Sequence, residues 1–263
     1  SLLGGLSRFA KKKPLGAACG VIVLFFLIIG DLVPETLNQA TSVAGAGRPV
    51  PYLVDVLEKN TSFVYPYSQQ SLRERLQGPS SKHWLGTDAN GRDILSRILY
   101  GARVAVIVSL GAVLLSELVG ATVGIASGYY GGKVDSIAFR VVDVFQALPG
   151  LVLLITVLGL FGSGLWEMVV AIAIIATPNA ARLIRSQTIS IMSLPYMESA
   201  KVIGGSDIHM MRKHVLPNVF PLMVLSSTVR LGGIVLIEAS LSFLGYGLPP
   251  PFPSWGQMLS LDG

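Results

Sequence analysis

The feature that most constrains this chain is a series of long apolar runs, each close to the length that a bilayer demands. A membrane-spanning helix needs about 20 mostly apolar residues. The runs fall at Leu15–Val33, within Val104–Gly132, at Val141–Leu160, at Leu165–Leu183 and at Val219–Leu244. Charged residues make up only 13% of the chain, whereas an ordinary soluble domain carries about 25%. That is too few to clothe a water-facing core of this size. The expected fold class is therefore all-α, a polytopic transmembrane helical bundle.

The placement of charge sets the expected orientation. The net charge is +5, and the cations cluster at the ends of apolar runs: Lys11–Lys13, Lys133 and Arg140, and Arg182 through Lys213. Cytoplasmic loops of membrane proteins carry such an excess of Lys and Arg. The N-terminus is therefore expected inside, with residues 35–99 outside and the stretch Arg185–Asn218 inside. This distribution argues against nucleic acid as a partner. Cys19 is the only cysteine, so no intrachain disulfide can form. The chain divides into residues 1–34 (tail and first span), 35–99 (a loop-rich outer insert) and 100–263 (the bundle core).

Within the outer insert, Asp93–Tyr100 has the pattern of an amphipathic helix lying on the outer membrane surface, with Gly86-Thr87-Asp88 as its turn and cap signal. Gly120, Gly124 and Gly128 repeat at a spacing that places three glycines on one helix face, where another backbone can approach closely.

The segment Pro195–Asn218 is too polar to span. It opens on Pro195, breaks at Gly204-Gly205, restarts at Ser206-Asp207 and is expected to stop at Pro217. Ser or Asp suits a helix N-cap, and Asp also suits the positive end of a helix dipole. The geometry expected is helix, glycine hinge, helix: a stiff lever on the inner side.

This stretch resembles the EAA loop of ABC importer permeases, which docks on the ATPase subunit. The family pattern is Glu-Ala-Ala, a Gly further on and a distant Leu-Pro. The chain carries Glu198, Ser199, Ala200, Gly204, Leu216 and Pro217 at those places, with Ser in the second position. His83-Trp84-Leu85-Gly86-Thr87-Asp88 with Gly91-Arg92-Asp93, and Glu238–Gly245 with Pro253-Ser254-Trp255-Gly256, are similar to blocks in dipeptide, oligopeptide and nickel importer permeases.

The resemblance implies a type I ABC importer permease-like bundle of six spans, the sixth being absent here. It implies a coupling loop comprising Glu198, Ser199, Ala200, Gly204, Gly205, Asp207, Arg212, Leu216 and Pro217. It also implies a second homologous permease, two cytoplasmic ATPase subunits and an extracytoplasmic substrate-binding protein, with the lipid bilayer around the bundle. The chain has no phosphate-binding Gly-x-x-x-x-Gly-Lys-Ser/Thr loop, so ATP and magnesium are expected in the ATPase subunits and no cofactor in this chain. The expected function is peptide import, with nickel chelates or other small solutes as the alternative cargo. A secondary transporter and a non-transporting membrane scaffold are the rival functions.

Glu117, Arg230 and Glu238 lie inside apolar runs. Intramembrane charges are costly and face a cavity or a partner. They are candidates for the translocation pathway or for an inter-subunit ion pair.

Overall fold

In the computed structural model, Tyr65 and residues 68–262 are described. The apolar runs emerge as helices. The first, α1, spans Ile94–Tyr130; α2 covers Gly132–Ala147 and α3 Gly150–Phe161; α4 runs Leu165–Met192 and the short α5 Pro195–Val202. The long α6 spans Asp207–Phe243, and α7 spans Trp255–Asp262. Among the described residues no strand forms beyond one isolated bridge, Thr87 with Asp93. Among the described residues, three helices, α1, α4 and α6, are long and apolar enough to cross a membrane, and the bent pair α2–α3 makes up to a fourth. The first apolar run, Leu15–Val33, lies outside the described residues, as does most of the insert before residue 68.

The described residues fall into two compact units, one ending at Ile107 and resuming at Ser242, the other running Val108–Leu241. In the first, the loop-rich stretch is held by backbone geometry and buried ionic bonds. Gly86 and Gly91 take positive φ values of 79° and 70°. A Cβ on Gly91 would fall 1.9 Å from the Ser71 carbonyl oxygen, so no other residue fits there. Asp88 accepts the backbone N–H groups of Asn90 and Arg92 and the Arg92 Nε–H at 2.6 Å. Tyr100 is buried beside Phe252 and Leu99, and Trp255 Nε1 donates to the Ile98 carbonyl at 3.0 Å.

The expected surface helix at Asp93–Tyr100 is not separate. It forms the first turns of α1, and Ser96 and Arg97 within it are fully buried. The helix runs on through Gly101, where a Cβ would fall 3.0 Å from the Trp255 ring. The cap is also not at 86–88. Asp93 Oδ2 accepts the Ser96 N–H at 2.8 Å and the Ser96 hydroxyl at 2.7 Å, while its Oδ1 meets His83 Nδ1 at 2.8 Å. Asp93 is thus the N-cap.

In the second unit, α1 and α4 meet along the glycine face. A Cβ on Gly120 would fall 2.5 Å from Ala180 Cβ, one on Gly124 2.7 Å from the Ala181 carbonyl oxygen, and one on Gly128 2.7 Å from Thr188 Cβ. The missing side chains allow this approach, as the spacing predicts.

The expected third span, Val141–Leu160, is instead two helices bent by 91°. The cause is Pro149. A proline drives the residue before it out of the helical region, and Leu148 sits at φ −87°, ψ 136°. The helix α4 outruns the expected Leu183 by nine residues, to Met192. Its extension is amphipathic: Ile184, Thr188 and Ile191 share a buried face while Ser186 and Ser190 lie outward.

Pro217 does not end the helix that precedes it. The helix α6 continues from Asp207 to Phe243 through a wide turn at Met211–Val215, where the Leu216 N–H reaches the Met211 carbonyl. A wide π turn accommodates a proline that cannot donate to the carbonyl four residues back.

Candidate functional site

The polar segment after α4 folds as a helix pair joined by a glycine turn. Leu194 is extended, as a residue before proline prefers, and Pro195 opens α5 at its first position. After Val202 the chain closes with two backbone bonds. The Gly204 N–H donates to the Lys201 carbonyl at 3.0 Å and the Gly205 N–H to the Ala200 carbonyl at 3.2 Å. Gly204 has φ +92°. This is a Schellman C-cap, which favours glycine at its left-handed position. A Cβ on Gly204 would meet nothing within 4 Å, so its conformation alone selects glycine. Ser206 occupies the N-cap position of α6, but its side chain makes no capping bond.

The underside of this pair is anchored. Met197 from α5 and Met210, Val215 and Val219 from α6 are buried in one cluster with Ala121, Ile125, Tyr129, Ile184 and Ile191. The outer side is bare. Val202 is 81% exposed, Ile203 87% and Ile208 64%. Glu198, Ser199, Asp207, Arg212, Lys213, Leu216 and Pro217 are also exposed, while Ala200 and Gly205 are half-buried. The Ser199 hydroxyl turns back to the Pro195 carbonyl at 3.2 Å. The result is an apolar knuckle at the hinge, flanked by one carboxylate on α5 and by cations from Lys201 to Lys213.

Two contacts that the sequence does not foreshadow lie beside the pair. Tyr129, at the end of α1, donates its hydroxyl to Asp207 Oδ1 at 2.7 Å, and the Lys201 ammonium stands 5.1 Å from the centre of its ring. Arg185 on α4 grips Asp135 on α2 with two bonds of 2.5 Å, and its guanidinium lies 4.6 Å over the Phe139 ring. The only local signal for Tyr129 is a Tyr-Tyr pair before Gly131-Gly132. An aromatic with a polar tip at the end of an apolar run commonly reaches for a partner.

Two of the three intramembrane charges form an ion pair. Arg230 on α6 forms an ion pair with Glu117 on α1, and the Ser226 hydroxyl lies 3.2 Å from each. Arg230 also points an N–H at the Ala176 carbonyl, 3.4 Å away. Glu238 is buried on the same helix.

A family profile described as "Binding-protein-dependent transport system inner membrane component" matches residues 120–262, which include the helix pair and more than half of the chain. The chain belongs to this family. Its helices are those of an all-α, type I importer permease, and it is a multi-pass protein of the inner membrane. The glutathione transport system permease protein of Pectobacterium atrosepticum is 42% identical to this permease over 201 residues, covering 75% of this chain and 67% of the relative. The protein of the same description from an Escherichia coli O1:K1 strain is 41% identical over 183 residues, covering 70% of this chain and 60% of the relative. This permease thus spans about two thirds of the length of these relatives. A solved amino acid ABC transporter with histidines aligns at a TM-score of 0.41 and 22% identity, over 63% of this chain and 80% of that one.

Proposed function

We propose that this chain is the membrane-spanning subunit of an ATP-driven, binding-protein-dependent importer, and that the hinged stretch around Glu198–Pro217 couples it to an ATPase. The observation that carries the reading is the bare apolar knuckle of Val202, Ile203 and Ile208 on a rigidly anchored base. Exposed apolar side chains at the tip of a polar loop are costly in water and suit a protein partner. Glu198 and the cations Lys201, Arg212 and Lys213 would set the register of that contact, since rim charges govern orientation and encounter more than affinity.

The remaining partners follow from the same reading. Nucleotide and magnesium belong to two cytoplasmic ATPase subunits, and a binding protein delivers cargo on the opposite side. Among the described residues, only 6% of the most apolar stretch of α6 is buried, against 56% for α1 and 50% for α4, an apolar face that suits a second, homologous permease. The N-terminus lies in the cytoplasm, on the same side as the helix pair. Peptide cargo is supported by the relatives described as glutathione permeases, glutathione being a tripeptide.

The test is the assembled importer in proteoliposomes. Glu198→Lys and Gly204→Val should lose ATPase-subunit association or substrate-stimulated ATP hydrolysis while still inserting in the membrane. Unchanged stimulated hydrolysis in both variants would defeat the reading.

A further inference from the structure

We infer that Tyr129 is a positioning residue that transmits motion of the coupling helix pair into the bundle; this rests on the coupling reading above. Three observations carry it. Tyr129 reaches both arms of the hinge from α1. Its hydroxyl bonds Asp207 at the start of α6, and its ring receives Lys201 in the last turn of α5. It is 9% exposed and packs in the cluster that holds Met197 and Met210, so it is set firmly between the two arms.

The steric freedom of the hinge lies at Gly204, which has open space around it, whereas a Cβ on Gly205 would meet Met210 Sδ at 3.0 Å and the Ala200 carbonyl oxygen at 3.1 Å. Without a brace, force on α5 would flex the hinge and dissipate there. Tyr129 spans that hinge from below and ties both arms to α1.

The other end of the connection is stiff. Tyr129 follows Gly128, the last of the three glycines seated against α4, where Gly128 already lies against Thr188 and the Arg185 carbonyl. A rotation of the helix pair therefore reaches a packed α1–α4 unit one residue away. Packed cores pass on a displacement because they have few intermediate arrangements.

The hydroxyl is the separable element. Tyr129→Phe keeps the ring, its burial and the Lys201 contact, and removes only the bond to Asp207. The experiment uses the full importer, two permeases with ATPases and binding protein, in proteoliposomes loaded with ATP and supplied with glutathione. Three quantities are read: ATPase-subunit association, ATP hydrolysis and peptide uptake. For Tyr129→Phe, association and hydrolysis should stay within twofold of the wild type while uptake falls at least fivefold, so that ATP consumed per peptide rises by a similar factor. Asp207→Ala should raise that ratio comparably, and the double variant should raise it no further, because both remove the same bond. A wild-type ratio in Tyr129→Phe would overturn the inference. So would a parallel fall of hydrolysis and uptake with lost association, which marks a merely structural role, or additive effects in the double variant. Failure of the wild-type pair to contact the ATPase is a different result, and it strikes the coupling reading itself.

Discussion

At the scale of residues, the glycines of α1 make the sharpest prediction. Gly124→Ala places a Cβ 2.7 Å from the Ala181 carbonyl and 2.9 Å from Ile184 Cβ, which backbone movement must relieve. Overpacking of this kind costs about 1–3 kcal/mol. On α3, Gly159 has no neighbour within 4 Å, and alanine there should stabilise by about 0.5–1 kcal/mol through a better helical residue. Thermal unfolding of the detergent-solubilised protein separates the two; equal effects would refute the close helix contact.

The ion pair of Glu117 and Arg230 makes another residue-scale prediction. Glu117→Ala leaves the Arg230 guanidinium, only 21% exposed, without its carboxylate. Breaking a buried pair costs about 3–5 kcal/mol, and partial exposure places this one at the lower end. Replacing both partners by apolar residues of similar size should recover most of the loss in the same unfolding assay. Of these two features the glycine face was legible in the sequence, because it depends on spacing within one helix. The ion pair was not. Glu117 and Arg230 are far apart along the chain, and hydropathy says nothing of which helices face each other. For the same reason Asp207 could be read only as a dipole or cap residue, while its bond to Tyr129 connects positions 78 apart.

At the scale of elements, the long apolar helices were legible and their breaks were not. A hydropathy window reads through Pro149, because one proline in a run otherwise rich in Leu and Val barely lowers the mean, yet the residue bends α2 against α3 by 91°. The opposite error befell Pro217. Read as a stop, it lies inside a continuous helix that widens at Met211–Val215 to admit it. What holds α2 in its bent position is ionic: Asp135 to Arg185, and Asp143 to Arg182 at 2.7 Å. Asp135→Asn should destabilise by about 1.5 kcal/mol, the lower value for a hydrogen bond to a charged group. It should also speed hydrogen exchange along α2 while leaving the α1–α4 contact protected.

The loop-rich element before α1 has a pH signature. Glu74 is held below its ordinary value of 4.5 chiefly by its hydrogen bond to Lys82, and Lys82 is raised above 10.5 by the same bond. The depressed carboxyl contributes stability above pH 4.5 and loses it as pH falls through the lowered value. The raised ammonium contributes below pH 10.5 and loses it as pH climbs through the raised value. Lys82→Ala should return the Glu74 titration midpoint, followed by NMR, toward 4.5; an unmoved midpoint would show that the pair does not form in solution.

At the scale of the whole molecule, composition established the membrane environment and the hinge motif marked the candidate site. The apolar runs excluded a soluble domain, and the segment from Pro195 was visible as a stretch too polar to span. What sequence could not show was the anchoring. Met197 and Met210 look like ordinary apolar residues in a polar loop, yet they fix which face of the pair is presented and leave Val202, Ile203 and Ile208 bare. That exposed face is the central claim, and one cysteine tests it. The chain has a single native cysteine, Cys19, so Ile203→Cys in a Cys19→Ser background supplies a unique thiol. In the assembled importer, a short bifunctional maleimide should link that thiol to the ATPase subunit, and an impermeant maleimide applied outside intact cells should leave it unlabelled. Labelling from outside, or no link to the ATPase in an importer that still takes up peptide, would contradict the account.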